Sequence, residues 1–92
     1  MDHETEFLLE ALTAIASSEE AHHLLEDLLT PREIEELSLR MDIARRLHQG
    51  QTYEVIQQET GASSTTISRV RRALMRGAGG YRAVLGRLLP EA

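Results

Sequence analysis

Residues 52–74 decide the fold of this 92-residue chain, and they read TYEVIQQETGASSTTISRVRRAL. The stretch is typical of two short amphipathic helices joined by a tight turn at Gly61, since glycine adopts a positive φ at little cost. Small or apolar residues occur where the second helix would pack across the first: Ile56, Ala62, Ile67 and Val70. This spacing predicts a helix-turn-helix.

The outward side of the second helix is short, polar and basic. Such a face fits the ~12 Å wide major groove of DNA, where hydroxyls contact base edges and arginines contact phosphates or guanine. We expect Ser64, Thr65 and Ser68 to face the bases, and Thr52 to begin the first helix of the motif beside a phosphate. The full set of residues predicted to bind DNA is Thr52, Ser63, Ser64, Thr65, Ser68, Arg69, Arg71, Arg72 and Arg76.

Charge is distributed unevenly along the chain, whose formal net charge is −5. Residues 1–37 contain eleven acidic residues and one arginine, whereas residues 38–92 contain nine arginines and four acidic residues. Every basic side chain apart from the histidines is arginine, which suits bidentate contacts. A basic half within an acidic protein is compatible with phosphate binding.

Composition argues against several classes of protein. The chain has no cysteine, which excludes disulfides, Cys-based zinc sites and a thiol nucleophile. It also lacks an apolar run of ~20 residues, and residues 1–6 are acidic where a signal peptide is basic, so we expect a cytoplasmic protein without membrane contact.

No catalytic or metal-binding pattern stands out. The chain has neither a nucleophile elbow nor a phosphate-cradling loop, so no enzymatic activity and no cofactor are expected. His22 and His23 are adjacent on a predicted helix, where their side chains diverge by about 100° and do not chelate one ion as ligands at i and i+4 would. We therefore expect no metal site.

The rest of the chain also has helical periodicity and no strand-like alternation. Ser17 with Glu20 and Thr30 with Glu33 have the spacing of capping boxes, each of which starts a helix. The predicted fold class is therefore all-α, with about six helices at residues 3–16, 19–29, 31–49, 53–59, 64–76 and 81–89.

The longest predicted helix, 31–49, has apolar residues around much of its circumference before Gly50 ends it. They form two stripes along the helix, and one neighbouring helix in a small monomer would not cover both. The residues are Ile34, Leu37, Met41, Ala44 and His48 in one stripe and Leu39, Ile43 and Leu47 in the other. This pattern indicates a partner.

Residues 24–89 resemble the Trp repressor family. The resemblance rests on Leu28-Leu29-Thr30-Pro31, Arg40, Gly50 and the motif Gly61-Ala62-x-x-x-Thr66-Ile67-x-Arg69. It implies an all-α homodimer in which the N-terminal helices of two subunits interlock. It also implies that two helix-turn-helix heads bind a pseudo-palindromic operator in double-stranded DNA, as a transcriptional repressor does.

The resemblance also implies a ligand pocket formed by Arg40, Arg69, Val70 and Ala73. In Trp repressors the indole lies between two arginines, which correspond to Arg40 and Arg69. Val70 replaces a glycine, and Ala73 replaces a serine that helps to hold the ligand, a loss of ~1–3 kcal/mol for a polar ligand. We therefore expect the pocket to be closed and tryptophan not to serve as corepressor.

Within a single domain, the sequence predicts a helical dimerisation region at 1–50, a DNA-binding head at 51–77 and a C-terminal helix at 78–92. Two other functions remain open. One is a helical protein–protein adaptor that keeps the helix-turn-helix only for packing. The other is a regulator that responds to a different small ligand in the pocket between Arg40 and Arg69.

Overall fold

The computed structural model describes residues 1–89. Within that range the protein consists of six α-helices and no strands, which confirms the all-α prediction. The helices are α1 (His3–Thr13), α2 (Ser18–Leu28), α3 (Pro31–His48), α4 (Tyr53–Thr60), α5 (Ser64–Arg76) and α6 (Gly80–Leu88). The last helix, predicted at 81–89, spans Gly80–Leu88, whereas residues 90–92 of the predicted C-terminal region lie outside the described range.

Short polar side chains start the first three helices. Asp2 accepts the N–H of Thr5 at 2.7 Å, and this hydrogen bond holds the pKa of Asp2 below its usual value. Thr30 and Glu33 form a complete capping box, because each side chain accepts the backbone N–H of the other residue, at 3.2 and 2.8 Å. These caps, rather than helix propensity alone, fix where the helices begin.

The predicted first helix ends earlier than expected, at Thr13 instead of residue 16. Ser17 caps α2 by accepting the N–H of Glu20 at 3.1 Å, and the Glu20 side chain accepts the N–H of Ala16 at 3.0 Å. Ala16 therefore donates to the next helix and does not continue α1. The capping box that was predicted to start α2 also separates it from α1.

The chain divides into two compact units, one from Met1 to Ile34 and one from Glu35 onward. Within the first unit, no residue of α1 or α2 is buried. Apolar side chains of α1 are exposed, and Phe7 reaches 71%. These two helices are amphipathic, but the isolated chain buries little of their apolar surface.

The second unit contains the hydrophobic core. Its buried side chains come from α3, α4, the turn after α4, α5 and α6: Ile43, Ala44, Ile56, Ala62, Ile67, Val70, Leu74 and Leu85. Tyr81 and four other partly buried residues pack around this cluster. The core thus holds α4 and α5 on the C-terminal part of α3.

Gly50 ends α3 in the left-handed region, with φ +87°, as the sequence predicts. Its N–H donates to the carbonyl of Leu47, and the N–H of Gln51 donates to the carbonyl of Arg46, both at 3.0 Å. This pair of hydrogen bonds is a Schellman motif, which turns the chain sharply out of the helix. The turn leads directly into α4.

Candidate nucleic-acid interface

The turn between α4 and α5 is held by its own hydrogen bonds. Gly61 has φ +74° and donates its N–H to the carbonyl of Gln57 at 2.9 Å. The hydroxyl of Thr60 donates to the carbonyl of Ile56 at 2.6 Å and accepts the N–H of Ala62 at 3.1 Å. The backbone polar groups of the turn are therefore largely satisfied within it, which fixes the direction in which α5 leaves.

Packing of α5 against α4 follows the predicted spacing. Ile56 of α4 and Ile67 of α5 are fully buried, and Ala62 and Val70 are buried beside them. Since these side chains occupy the inner side of the motif, the polar and basic side chains of α5 are left on the outer side. The helix-turn-helix predicted from the sequence is present.

Two residues predicted to bind DNA also cap the helices of the motif. Thr52 accepts the N–H of Val55 at 3.3 Å at the start of α4. Ser63 accepts the N–H of Thr66 at 3.1 Å at the start of α5, and its hydroxyl donates to the hydroxyl of Thr66. Both residues are exposed, but their hydroxyls are already engaged, so they orient the backbone of the helix starts.

The outer side of α5 has two shallow depressions lined by the predicted residues. The first, with a volume of about 330 Å³, is lined by Ser64, Thr65, Ser68, Arg69 and Arg72. The second, of about 260 Å³, is lined by Tyr53, Ser68, Arg71, Arg72, Met75 and Arg76. Ser68 and Arg72 lie between the two depressions, so the hydroxyls and the four arginines form one continuous surface, which we call the α5 basic face.

The arginines of the α5 basic face have no carboxylate near them in sequence. Residues 60–90 contain six arginines and no aspartate or glutamate. Within residues 1–89, none of Arg69, Arg71, Arg72 and Arg76 forms an ion pair or hydrogen bond to another side chain. Their guanidinium groups are free to bind an external anion such as a phosphate.

Three other arginines of the second unit, Arg45, Arg46 and Arg82, are engaged within the protein. Arg45 and Arg46 both bind Asp42, and Arg46 also binds Glu59 of α4. Arg82 of α6 donates to the carbonyls of Leu74 and Met75 at 2.9 and 3.1 Å, so it binds the C-terminal end of α5. Asp42 lies three and four positions before Arg45 and Arg46, a spacing that predicts contact on a helix, whereas no local spacing predicts the contact with Glu59.

All four residues of the predicted ligand pocket line one cleft. Arg40, Arg69, Val70 and Ala73 surround a volume of about 400 Å³ together with Thr66 and Tyr81. Val70 is only 4% exposed and lines one wall of the cleft, so the expected exclusion of tryptophan by its added bulk stays a prediction. Ala73 also lines the cleft and offers no polar side chain to a ligand.

The histidine pair gives no metal site in the described part of the chain, where no group of three potential ligands comes together. The rings of His22 and His23 stack with centroids 6.2 Å apart, and His22 approaches Glu26 at 3.5 Å. Within residues 1–89 no helix is both long and apolar enough to cross a membrane.

Two solved structures have folds closely similar to that of this chain. The chain superposes with a TM-score of 0.89 on a candidate Trp repressor from Staphylococcus aureus, which is 39% identical; the match covers 96% of this chain and 88% of the other. It superposes equally well, with a TM-score of 0.89, on a TrpR-like protein from Eubacterium eligens, which is 40% identical, over 95% of this chain and 90% of the other.

Sequence comparison agrees with the structural one. The chain is 40% identical over 85 residues to YerC, an uncharacterised protein of Bacillus subtilis strain 168, covering 92% of this chain and 82% of that relative. The model of the Trp repressor protein family matches residues 3–89, nearly the whole chain. This family and its structural neighbours support the fold of a DNA-binding regulator. The chain belongs to the Trp repressor family.

Proposed function

We propose that this protein is a transcriptional repressor that binds a pseudo-palindromic DNA operator as a homodimer. The observation that carries the proposal is the α5 basic face, where four arginines with no carboxylate partner among residues 1–89 surround short exposed hydroxyls. Free guanidinium groups on a narrow helix face are suited to the phosphates and base edges of the major groove. The protein would act in the cytoplasm and without enzymatic activity.

Different residues of the α5 basic face would contact different parts of the DNA. Ser64, Thr65 and Ser68 would meet base edges, while the arginines would bind phosphates and guanine. Thr52 and Ser63 would contribute through the helix starts that they cap, since backbone N–H groups there attract phosphates. All these residues are exposed, so binding needs no unfolding of the motif.

A second copy of the chain would cover the apolar surface that remains exposed. Both units have exposed apolar side chains: Phe7 and Leu12 of α1 in the first unit, and Leu37 and Met41 of α3 and Leu88 of α6, which is 69% exposed, in the second. Exposed apolar area of this kind marks a protein interface. The acidic residues of 1–37 and the arginines of 38–92 are also complementary in charge between two copies.

A second candidate, regulation by a small ligand, is favoured by the open cleft between Arg40 and Arg69. Two guanidinium groups beside the half-buried Tyr81 suit an aromatic anion. We propose that tryptophan is not this ligand, because Ala73 offers no polar side chain to it. Thermal-shift screening of amino acids and aromatic anions tests this, since a ligand at 100 times its Kd adds ~2.7 kcal/mol to the free energy of unfolding.

Selection of bound duplexes from a random library tests the proposal as a whole. The expected result is a pseudo-palindromic site whose half-sites are about one helical turn, 10–10.5 base pairs, apart. Light scattering on the same sample should give the mass of a dimer. A protein that leaves DNA unshifted at low salt would instead fit the helical adaptor, in which the motif serves only for packing.

A further inference from the structure

We infer that Arg46 is a positioning residue for DNA recognition, because it joins α3 to α4 and thereby sets the direction of the α5 basic face. The inference rests on the proposed function, which it deepens. It does not place Arg46 in contact with DNA.

Arg46 binds three elements at once. Its Nε donates to Oδ2 of Asp42 within α3 at 2.9 Å, and its Nη1 donates to Oε1 of Gln51 in the connecting turn at 3.2 Å. The same Nη1 also donates to the carboxylate of Glu59, near the C-terminal end of α4. One planar guanidinium therefore connects the end of α3, the turn after it and the end of α4.

These contacts are buried on the Arg46 side, although the Glu59 side chain is 51% exposed. The Arg46 side chain is 15% exposed, compared with 41% for Arg45 next to it. The hydrogen bonds to Glu59 and Asp42 hold the pKa of Arg46 above its usual value. Three hydrogen bonds from one guanidinium restrict the Arg46 side chain, whereas many exposed pairs contribute nothing measurable.

The position of this contact in the motif explains its effect on α5. Glu59 lies two residues before Gly61, the residue at which the chain turns into α5. Gln51 lies directly after Gly50 in the Schellman turn, and its backbone N–H donates to the carbonyl of Arg46 itself. Arg46 thus joins α3 to the turn that leads into α4 and to the C-terminal end of α4, and a tilt of α4 would tilt α5 with it.

Arg45 provides a matched control. It also binds Asp42, and its second partner is Gln49 at 3.2 Å, so both of its contacts stay within α3 and the residue that follows it. Replacing either arginine by glutamine removes one positive charge from the same part of the molecule. Only Arg46→Gln removes a contact with α4.

The test compares the wild type, Arg46→Gln and Arg45→Gln on a selected operator duplex by fluorescence anisotropy. We expect Arg46→Gln to weaken binding about 10-fold, a typical coupling for residues in one network, and Arg45→Gln to change it less than about 2-fold. The slope of log affinity against log salt should be the same for all three, because no phosphate contact is lost. Arg46→Lys, which reaches one carboxylate but not both, should restore part of the affinity.

Different failures of this test are distinguishable. Equal affinities for the two glutamine variants, or a shallower salt slope for Arg46→Gln, would overturn the positioning role. If the wild type itself binds no duplex, that result contradicts both the proposed function and the role of Arg46 in DNA recognition. Amide hydrogen exchange in the absence of DNA then still reports on the contact: we expect α4 amides to exchange several-fold faster in Arg46→Gln only, and unchanged exchange would contradict the contact itself.

Discussion

The arginines at the C-terminal end of α3 and those on α5 have the same side chain but opposite surroundings. Arg45 and Arg46 bind Asp42, and Arg46 also binds Glu59, so their charge is neutralised within the protein. Arg69 and Arg72 have no carboxylate partner among residues 1–89. The two groups of arginines therefore differ in whether their guanidinium groups already bind a carboxylate, and this difference separates a structural contact from a proposed binding surface.

The largest effect is expected from removing the free arginines. The double variant Arg69→Ala/Arg72→Ala should weaken operator binding at least about 100-fold, since each such contact contributes ~1–3 kcal/mol. Its melting temperature should stay near that of the wild type, because both side chains are exposed. Anisotropy titration and thermal unfolding measure the two quantities.

Arg87→Ala serves as control for this variant, because Arg87 is an exposed arginine on α6, away from the α5 basic face. It should leave affinity within a few-fold of the wild type. If the double variant binds as tightly as Arg87→Ala, free arginines on α5 are not the binding surface.

A smaller effect, on stability, is expected at the turn that directs α5. Gly61→Ala would place a side chain at φ +74° and should lower the free energy of unfolding by about 1–2 kcal/mol. An added Cβ there meets no atom within 4 Å, so the cost is conformational and not a clash. Urea unfolding measures it.

Gly86→Ala is the matched control for Gly61→Ala. Gly86 also has free space around its Cβ position, but it lies within α6. Alanine is a better helix former, so this variant should gain about 0.5–1 kcal/mol. Two glycine variants with the same sign of effect would show that the positive φ at the turn is not required.

The smallest expected effect is on the pH dependence of stability, through Asp42, the carboxylate that binds Arg45 and Arg46. Burial opposes ionisation of Asp42, but hydrogen bonds from Arg45 and Arg46 outweigh it and hold its pKa below the usual value. A carboxyl with a lowered folded pKa stabilises the protein above its unfolded pKa, and this stabilisation is lost as pH falls through the folded value.

Asp42→Asn should therefore lower the free energy of unfolding at pH 7 by less than about 1 kcal/mol, since the carboxylate is partly exposed. The difference from the wild type should shrink below about pH 4. Urea unfolding at pH 7 and pH 3 measures it. A difference that is the same at both values would mean that Asp42 acts through packing and not through its charge.

Local patterns of the sequence account for most of the fold. The caps at Ser17, Thr30 and Thr52 and the apolar spacing around Gly61 depend on residues three to nine positions apart, which one helix or turn determines. The early end of α1 escaped prediction because Glu20 accepts an N–H from the residue before its own cap. That contact depends on the conformation of the linker.

The candidate site was predictable only in part. The α5 basic face follows from helical periodicity once the inner side of the motif is known. The contact of Arg46 with Glu59 joins two helices 13 positions apart in the chain, and no local pattern reveals it. Val70 shows a related limit: its place in the core follows from the spacing around Gly61, but its effect on a ligand in the cleft that it also lines does not follow from local spacing.

The salt dependence of DNA affinity measures whether the α5 basic face binds phosphates. If a dimer neutralises six to ten phosphates through the α5 basic face, operator affinity should fall ~10³–10⁵-fold between 50 and 200 mM salt. The slope should be shallower for Arg69→Ala/Arg72→Ala and unchanged for Arg45→Gln. An affinity that does not respond to salt, or a slope unaffected by loss of the α5 arginines, would contradict the account.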